Sequence, residues 1–323
     1  MKKIVSIVLC VLMMASMLAL AGCGEAKTLK FGAGVYVTAP TATDATADKQ
    51  GEGKVDVTVA AVTVDEAGKI VACALDTMQS TVKYTTDGKA VGNPEAKTKY
   101  ELGDSYNMVT YGKAQQEWYK QADAFEGIVA GKTLDEVKAL VAEGNKGTDE
   151  VINAGCTIMI NEFVGAIEKA YNTAAESNVT AENTLKVTAY TEQAIADATA
   201  DKDGSNKVSV YTFAAALDGE NKVVAASSDC VEVDFTFDTT GKSKFDATKE
   251  IKSKKEQGSN YGMTAIGKQE WYIQAAAFDS QCIGKTGAEI KGLMGNDGKG
   301  VESVQTAGCT IYVTGFVKAA SKI

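Results

Sequence analysis

The feature that most constrains this chain is that it repeats itself at a fixed offset. Gly131-Lys132-Thr133 recurs as Gly284-Lys285-Thr286, and Ala154-Gly155-Cys156-Thr157-Ile158 recurs as Ala307-Gly308-Cys309-Thr310-Ile311. Trp118-Tyr119 returns as Trp271-Tyr272, Asp44 to Lys49 as Asp197 to Lys202, Asp76 as Asp229 and Gly88 as Gly241, each pair 153 residues apart. Residues 131–170 and 284–323 share 18 identities in 40 positions, and only a small slip near Tyr106 and Tyr261 interrupts the register. Self-similarity of this kind marks a duplicated structural unit. Copy one spans 28–173, copy two spans 183–323, and the polar stretch 174–183 joins them. At about 140 residues, each copy is long enough to bury a core of its own, so two independent tandem domains are expected.

Within a copy the hydrophobic period changes from two to 3.6. Residues 55–60 alternate apolar and polar, as a half-buried strand does, and Val62 and Val64 continue on the other parity, which points to a bulge or to burial on both faces. Asp65-Glu66-Ala67-Gly68 supplies a turn and residues 69–75 a returning strand, giving a β-hairpin. Residues 81–85 read as a third strand; copy two repeats the set at 208–217, 223–227 and 231–237. Trp118, Ala122, Phe125 and Val129 then fall on one helical stripe, as do Leu134, Val137, Leu140 and Val141, and Ile160, Phe163, Val164 and Ile167. Strands followed by helices predict an α+β fold in which each copy is an antiparallel β-sheet followed by helices.

The start of the chain reads as a signal rather than as structure. Lys2 and Lys3 precede an apolar run from Ile4 to Leu20, which closes with Leu20-Ala21-Gly22-Cys23. That tetrapeptide resembles the lipobox of bacterial lipoproteins, which implies a signal peptide at 1–22 and a diacylglycerol on Cys23. The mature chain would carry 301 residues, held by its lipid at the extracytoplasmic face of the cell membrane. No later stretch approaches the roughly 20 apolar residues that a spanning helix needs.

Composition removes much familiar chemistry. There is no histidine, and all 33 basic residues are lysine. Serine–histidine triads, cysteine–histidine pairs and imidazole zinc sites are therefore ruled out, as is bidentate arginine binding of phosphate. These absences weigh against an enzyme. The formal charge of −9 makes nucleic acid an unfavourable partner. Beyond Cys10 and Cys23, five cysteines remain, and only Cys156 and Cys309 stand at equivalent places, which argues against a repeated disulfide framework.

Several motifs have a structural reading beside the chemical one. Gly-Lys-Thr follows a helix and lacks the glycine spacing of a phosphate loop. It reads instead as a glycine helix end at Gly131 and Gly284, followed by capping boxes from Thr133 to Glu136 and from Thr286 to Glu289. The Asp44/Asp48 and Asp197/Asp201 loops differ at Gln50 and Asp203, so they read as solvated turns and no metal is expected. Trp118 and Trp271 lie on an apolar stripe, which favours core packing over a ligand platform.

Ala-Gly-Cys-Thr is the remaining candidate: a small-residue turn entering a helix can present backbone N–H groups to an anion. Residues 153–170 resemble the end of the bacterial FMN-binding domain, where Ser/Thr-Gly-Ala-Ser/Thr opens the last helix, and residues 55–71 resemble that family's strand–turn–strand opening. The resemblance implies FMN held by Gly155, Cys156, Thr157, Gly308, Cys309 and Thr310, with Thr157 and Thr310 at the position that carries covalent flavin in some members. Ala154 and Ala307 depart from the first Ser/Thr of the motif, and Val151 and Val304 stand where the family places Asp. Two functions follow as expectations: an anchored flavin-binding electron carrier with a redox partner protein, or a non-catalytic surface module that binds a ligand or protein after loss of the cofactor. A thiol redox role for Cys156 and Cys309 is a third reading.

Overall fold

The computed structural model describes residues 27–92, 96–266 and 268–323. The signal segment 1–22 and Cys23 lie outside the described residues. The chain is α+β, with two antiparallel sheets, each covered on one face by helices.

The first sheet contains β1 (Leu29–Val37), β2 (Thr41–Thr43), β3 (Gly51–Val64), β4 (Ile70–Tyr84) and β5 (Ala90–Val91), closed on its other edge by β6 (Ala175–Val179), in the order β5-β4-β3-β1-β6 with β2 paired to β3. The second contains β7 (Thr184–Ala196), β8 (Gly204–Leu217) and β9 (Val223–Phe237) in sequence order. Strands β3 and β8 span equivalent residues, as do β4 and β9. After β4 come α1 (Lys99–Leu102), α2 (Trp118–Val129), α3 (Leu134–Lys138), α4 (Asp149–Asn153) and α5 (Asn161–Asn172). After β9 come their counterparts α6 (Lys254–Gln257), α7 (Trp271–Cys282), α8 (Gly287–Ile290), α9 (Glu302–Thr306) and α10 (Thr314–Ala320). The register slip falls where expected: α1 and α6 are offset by 155 residues, α2 and α7 again by 153.

The strand interiors explain the mixed period. On β3, Val55, Val57, Val59 and Ala61 join a cluster with Val208, Val210, Ala214 and Val231 of the second sheet, whereas Ala60, Val62 and Val64 face the helices of their own copy. From Val57 to Val64 both faces of β3 are thus buried, and its register to β4 also shifts at Thr63/Val64. The two copies do not keep separate cores on this side. The two sheets pack face to face through one shared core, and the layers run helices, sheet, sheet, helices. A sheet with both faces apolar has to cover both, and the second copy covers the face that the helices leave open. Each large aliphatic side chain buried there contributes about 1.5–3 kcal/mol. The predicted strands at 69–75 and 81–85 are likewise one strand, β4. The polar run Asp76-Thr77 hid the continuity, because both side chains are buried by hydrogen bonding: Thr77 Oγ1 to Thr58 Oγ1 at 2.9 Å, and Thr77 N–H to Asp76 Oδ1 at 2.7 Å.

The copies meet as an isologous pair would. Tyr84 and Phe237, equivalent positions, stack on each other with centroids 4.4 Å apart. Ala45 N–H donates to Gly241 O (2.8 Å), and Ala198 N–H donates reciprocally to Gly88 O (2.7 Å). Asp44 accepts from Ser243 N–H (2.8 Å), and Asp197 from Ala90 N–H (2.9 Å). The repeated Asp44/Asp197 and Gly88/Gly241 pairs are therefore fasteners between copies. The joining stretch is more than a link, since β6 pairs antiparallel with β1.

Candidate functional site

The Ala-Gly-Cys-Thr segment does not open the last helix, as its sequence suggested; it closes the helix before it. Gly155 takes φ +108°, Gly155 N–H donates to Ile152 O (3.0 Å) and Cys156 N–H to Val151 O (3.1 Å), the paired bonds of a Schellman cap on α4. Gly308 and Cys309 cap α9 in the same way, with φ +109° at the glycine. The helices α5 and α10 begin at Asn161 and Thr314, after an intervening bend. The next N–H is also engaged: Thr157 donates to Gln121 Oε1 through N (2.8 Å) and Oγ1 (3.0 Å), and Thr310 does the same to Gln274 Oε1 (2.9 and 3.1 Å). Gln121 and Gln274 are fully buried, and each donates through Nε2 to the carbonyl five residues earlier. All three backbone donors of each turn are thus used inside the protein, while the side chains of Thr157 and Thr310 remain at the surface.

Cys156 and Cys309 are buried, and burial pushes both thiols up to about 11, so they are protonated at neutral pH. The helix-terminus effect that would have made them nucleophilic is absent because they follow a helix end. Cys73, Cys156, Cys230, Cys282 and Cys309 are all unpaired. Trp118 and Trp271 are core residues, 4% and 3% exposed, and each faces a lysine: Lys99 and Lys254, with Nζ 5.6 and 5.5 Å from the indole centroids. Gly131 and Gly284 take positive φ, and both predicted capping boxes are formed.

A second repeated feature carries more chemistry. Asp76, in the middle of β4, and Glu126 on α2 come together; Asp229 on β9 and Asp279 on α7 occupy the equivalent places. The helix carboxylate holds the same strand position in both: Glu126 Oε1 accepts from Leu75 N–H (2.7 Å), and Asp279 accepts from Ser228 N–H (3.0 Å). The strand carboxylate is set by the following helix, with Tyr100 N–H donating to Asp76 and Lys255 N–H to Asp229, both at 3.1 Å. In the first copy the pair lines a cavity of about 490 Å³ that reaches into the second copy, with Thr184, Val187, Leu217 and Lys322 on the far wall. Burial, chiefly, raises the Asp76 carboxyl to about 7 and the Glu126 carboxyl to about 8, and neighbouring acids add to both. Burial also raises Asp229, against the lowering influence of Lys255.

The sequence carried a signal for this pair. Asp76 recurs as Asp229, and position 126 is acidic in both copies, but nothing in the strand or helix pattern said that the two meet. Among the described residues no group of three or more metal-ligating side chains occurs, and no helix is long and apolar enough to cross a membrane. No family model, curated protein or solved structure matches this chain.

Proposed function

We propose that this protein is a lipid-anchored, non-catalytic binding protein of the cell exterior, with its ligand seated in the cavity between the copies. The observation that carries this reading is the asymmetry of the repeat. Two equivalent acid pairs exist, and the first opens into a cavity walled by both copies. A volume of about 490 Å³ falls in the usual range for small-molecule pockets, and pockets form preferentially where two units meet. The lack of histidine and arginine, and the protonated buried thiols, support binding rather than turnover. The lipobox-like Leu20-Ala21-Gly22-Cys23 supports anchoring at Cys23.

The flavin-carrier reading keeps one supporting observation: the hydroxyl-bearing Thr157 and Thr310 lie at the surface in both copies. A phosphate bound noncovalently at those turns would have to displace Gln121 or Gln274. One experiment separates the readings. The full-length protein, produced with a flavin transferase and purified in detergent, is measured by absorption and native mass spectrometry, with and without added FMN. The binding reading expects no flavin band and a small molecule that native mass spectrometry detects on the chain. A flavin band with mass added at Thr157 or Thr310 would replace it with the electron carrier.

A further inference from the structure

The second copy shows what its acid pair holds. There Lys255, the second residue of α6, brings Nζ to 3.6 Å from Asp279 Oδ2 and donates to Ser227 Oγ at 2.8 Å, and its charge also lowers the pKa of Asp229. An ammonium group therefore sits on the pair, supplied from within the chain. At the same place in α1 the first copy has Tyr100. Its backbone keeps the bond to the strand aspartate, but its hydroxyl is bonded to Asp123, and among the described residues no lysine forms an ion pair with Asp76 or Glu126. The volume on that side is the cavity of about 490 Å³.

We infer that this cavity takes an organic ammonium ion from outside the chain, in the place that Lys255 fills from inside in the second copy. The inference rests on the reading of the protein as a binding protein. The chemistry of the walls fits: Asp76 and Glu126 line the cavity, and Ala74, Leu75, Leu185, Val187 and Leu217 offer apolar surface for an alkyl chain. A buried carboxylate without a counter-charge is costly, and an ammonium that donates hydrogen bonds to it removes that cost. The other charged or titratable groups around the pair are Tyr100 and Glu101 of α1, Asp123 of α2, Lys186 of β7 and Lys322. Lys322 is tied to Glu101 at 3.0 Å and to Ala189 O at 2.8 Å, and Lys186 is exposed to solvent. Neither lysine is an internal equivalent of Lys255.

The test is calorimetric titration of the full-length protein in detergent with n-butylammonium and, separately, with a short blocked peptide carrying one lysine. The first probe represents a free amine and the second a protein side chain; binding of either supports the inference, and the tighter one names the source. Asp76→Asn and Glu126→Gln are each expected to weaken binding about tenfold or more. Tyr100→Lys recreates the second copy's arrangement and is expected to abolish binding while the melting temperature is kept or raised. That variant distinguishes a blocked site from a misfolded one. Affinity is also expected to rise from about pH 5.5 to about pH 8.5, as the two acids lose their protons. Equal binding by wild type and Tyr100→Lys would overturn the inference. If neither ammonium probe binds while native mass spectrometry finds another small molecule, the ammonium inference falls and the binding-protein reading survives. If no ligand of any kind is found, both fall.

Discussion

At the scale of single residues, the repeat is most informative where its copies differ. Asp76 and Glu126 have carboxyls raised to about 7 and about 8, so the folded protein holds protons that the unfolded chain releases near pH 4. Their contribution to stability is complete below that unfolded value and is lost as pH rises through the folded values. Stability is therefore expected to fall as pH rises from about 5 to about 8.5, and the slope should flatten in Asp76→Asn. A pH-independent melting curve would refute this. Lys99 and Lys254 offer a second contrast. Both are nearly buried against tryptophan, but Lys254 lies 3.1 Å from Glu232, where the first copy has Gln79. Lys99→Met is expected to change stability by less than about 1 kcal/mol, since a buried charge is exchanged for an apolar chain of similar length. Lys254→Met should cost about 1–2 kcal/mol more, because Glu232 loses its nearest counter-charge. Urea unfolding of the two variants checks the order.

At the scale of elements, local chemistry was largely legible. The helix stripe from Trp118 to Val129 is α2, and the Thr133–Glu136 and Thr286–Glu289 boxes are formed, because caps and amphipathic stripes depend on neighbours within four residues. The Ala-Gly-Cys-Thr turn was misjudged for a related reason. A glycine between two helical stretches can end the first or begin the second, and only the bonds from Gly155 and Cys156 back to Ile152 and Val151 decide which. The turn depends on Gln121, so Gln121→Leu, which removes the buried acceptor of two donors, is expected to cost about 2–3 kcal/mol by denaturant melting. A cost within error of zero would show that water replaces the amide. The packing of α5 on β1 rests on backbone contact: a Cβ on Gly34 would stand 2.3 Å from Ala170 N. Gly34→Ala must push the helix off the sheet, and a loss of about 2–4 kcal/mol is expected, with the unfolding midpoint as the readout.

For the whole molecule, the shared core makes each copy depend on the other. The inward face of the first sheet, with Val55, Val57 and Val59, is covered by the second copy rather than by water. A fragment carrying 28–173 alone would expose that face and is expected to aggregate or to lack sharp near-ultraviolet dichroism, while the intact chain unfolds in one transition. A well-folded, monomeric fragment would show that the copies are autonomous after all.

The duplication, its offset, the α+β class and the order of strands before helices were determined by the sequence alone, because repeats, hydrophobic period and cap residues are local or self-comparing signals. Two things were decided only in three dimensions. One is that the two sheets share a core, which follows from strands apolar on both faces but needs to know what covers the second face. The other is the juxtaposition of Asp76 with Glu126, fifty residues on, and of Asp229 with Asp279 and Lys255. Hydrophobic periodicity records which way a side chain points relative to its own element. It holds no information on which distant carboxylate it meets, and that is set by how α2 and α7 lie across β4 and β9.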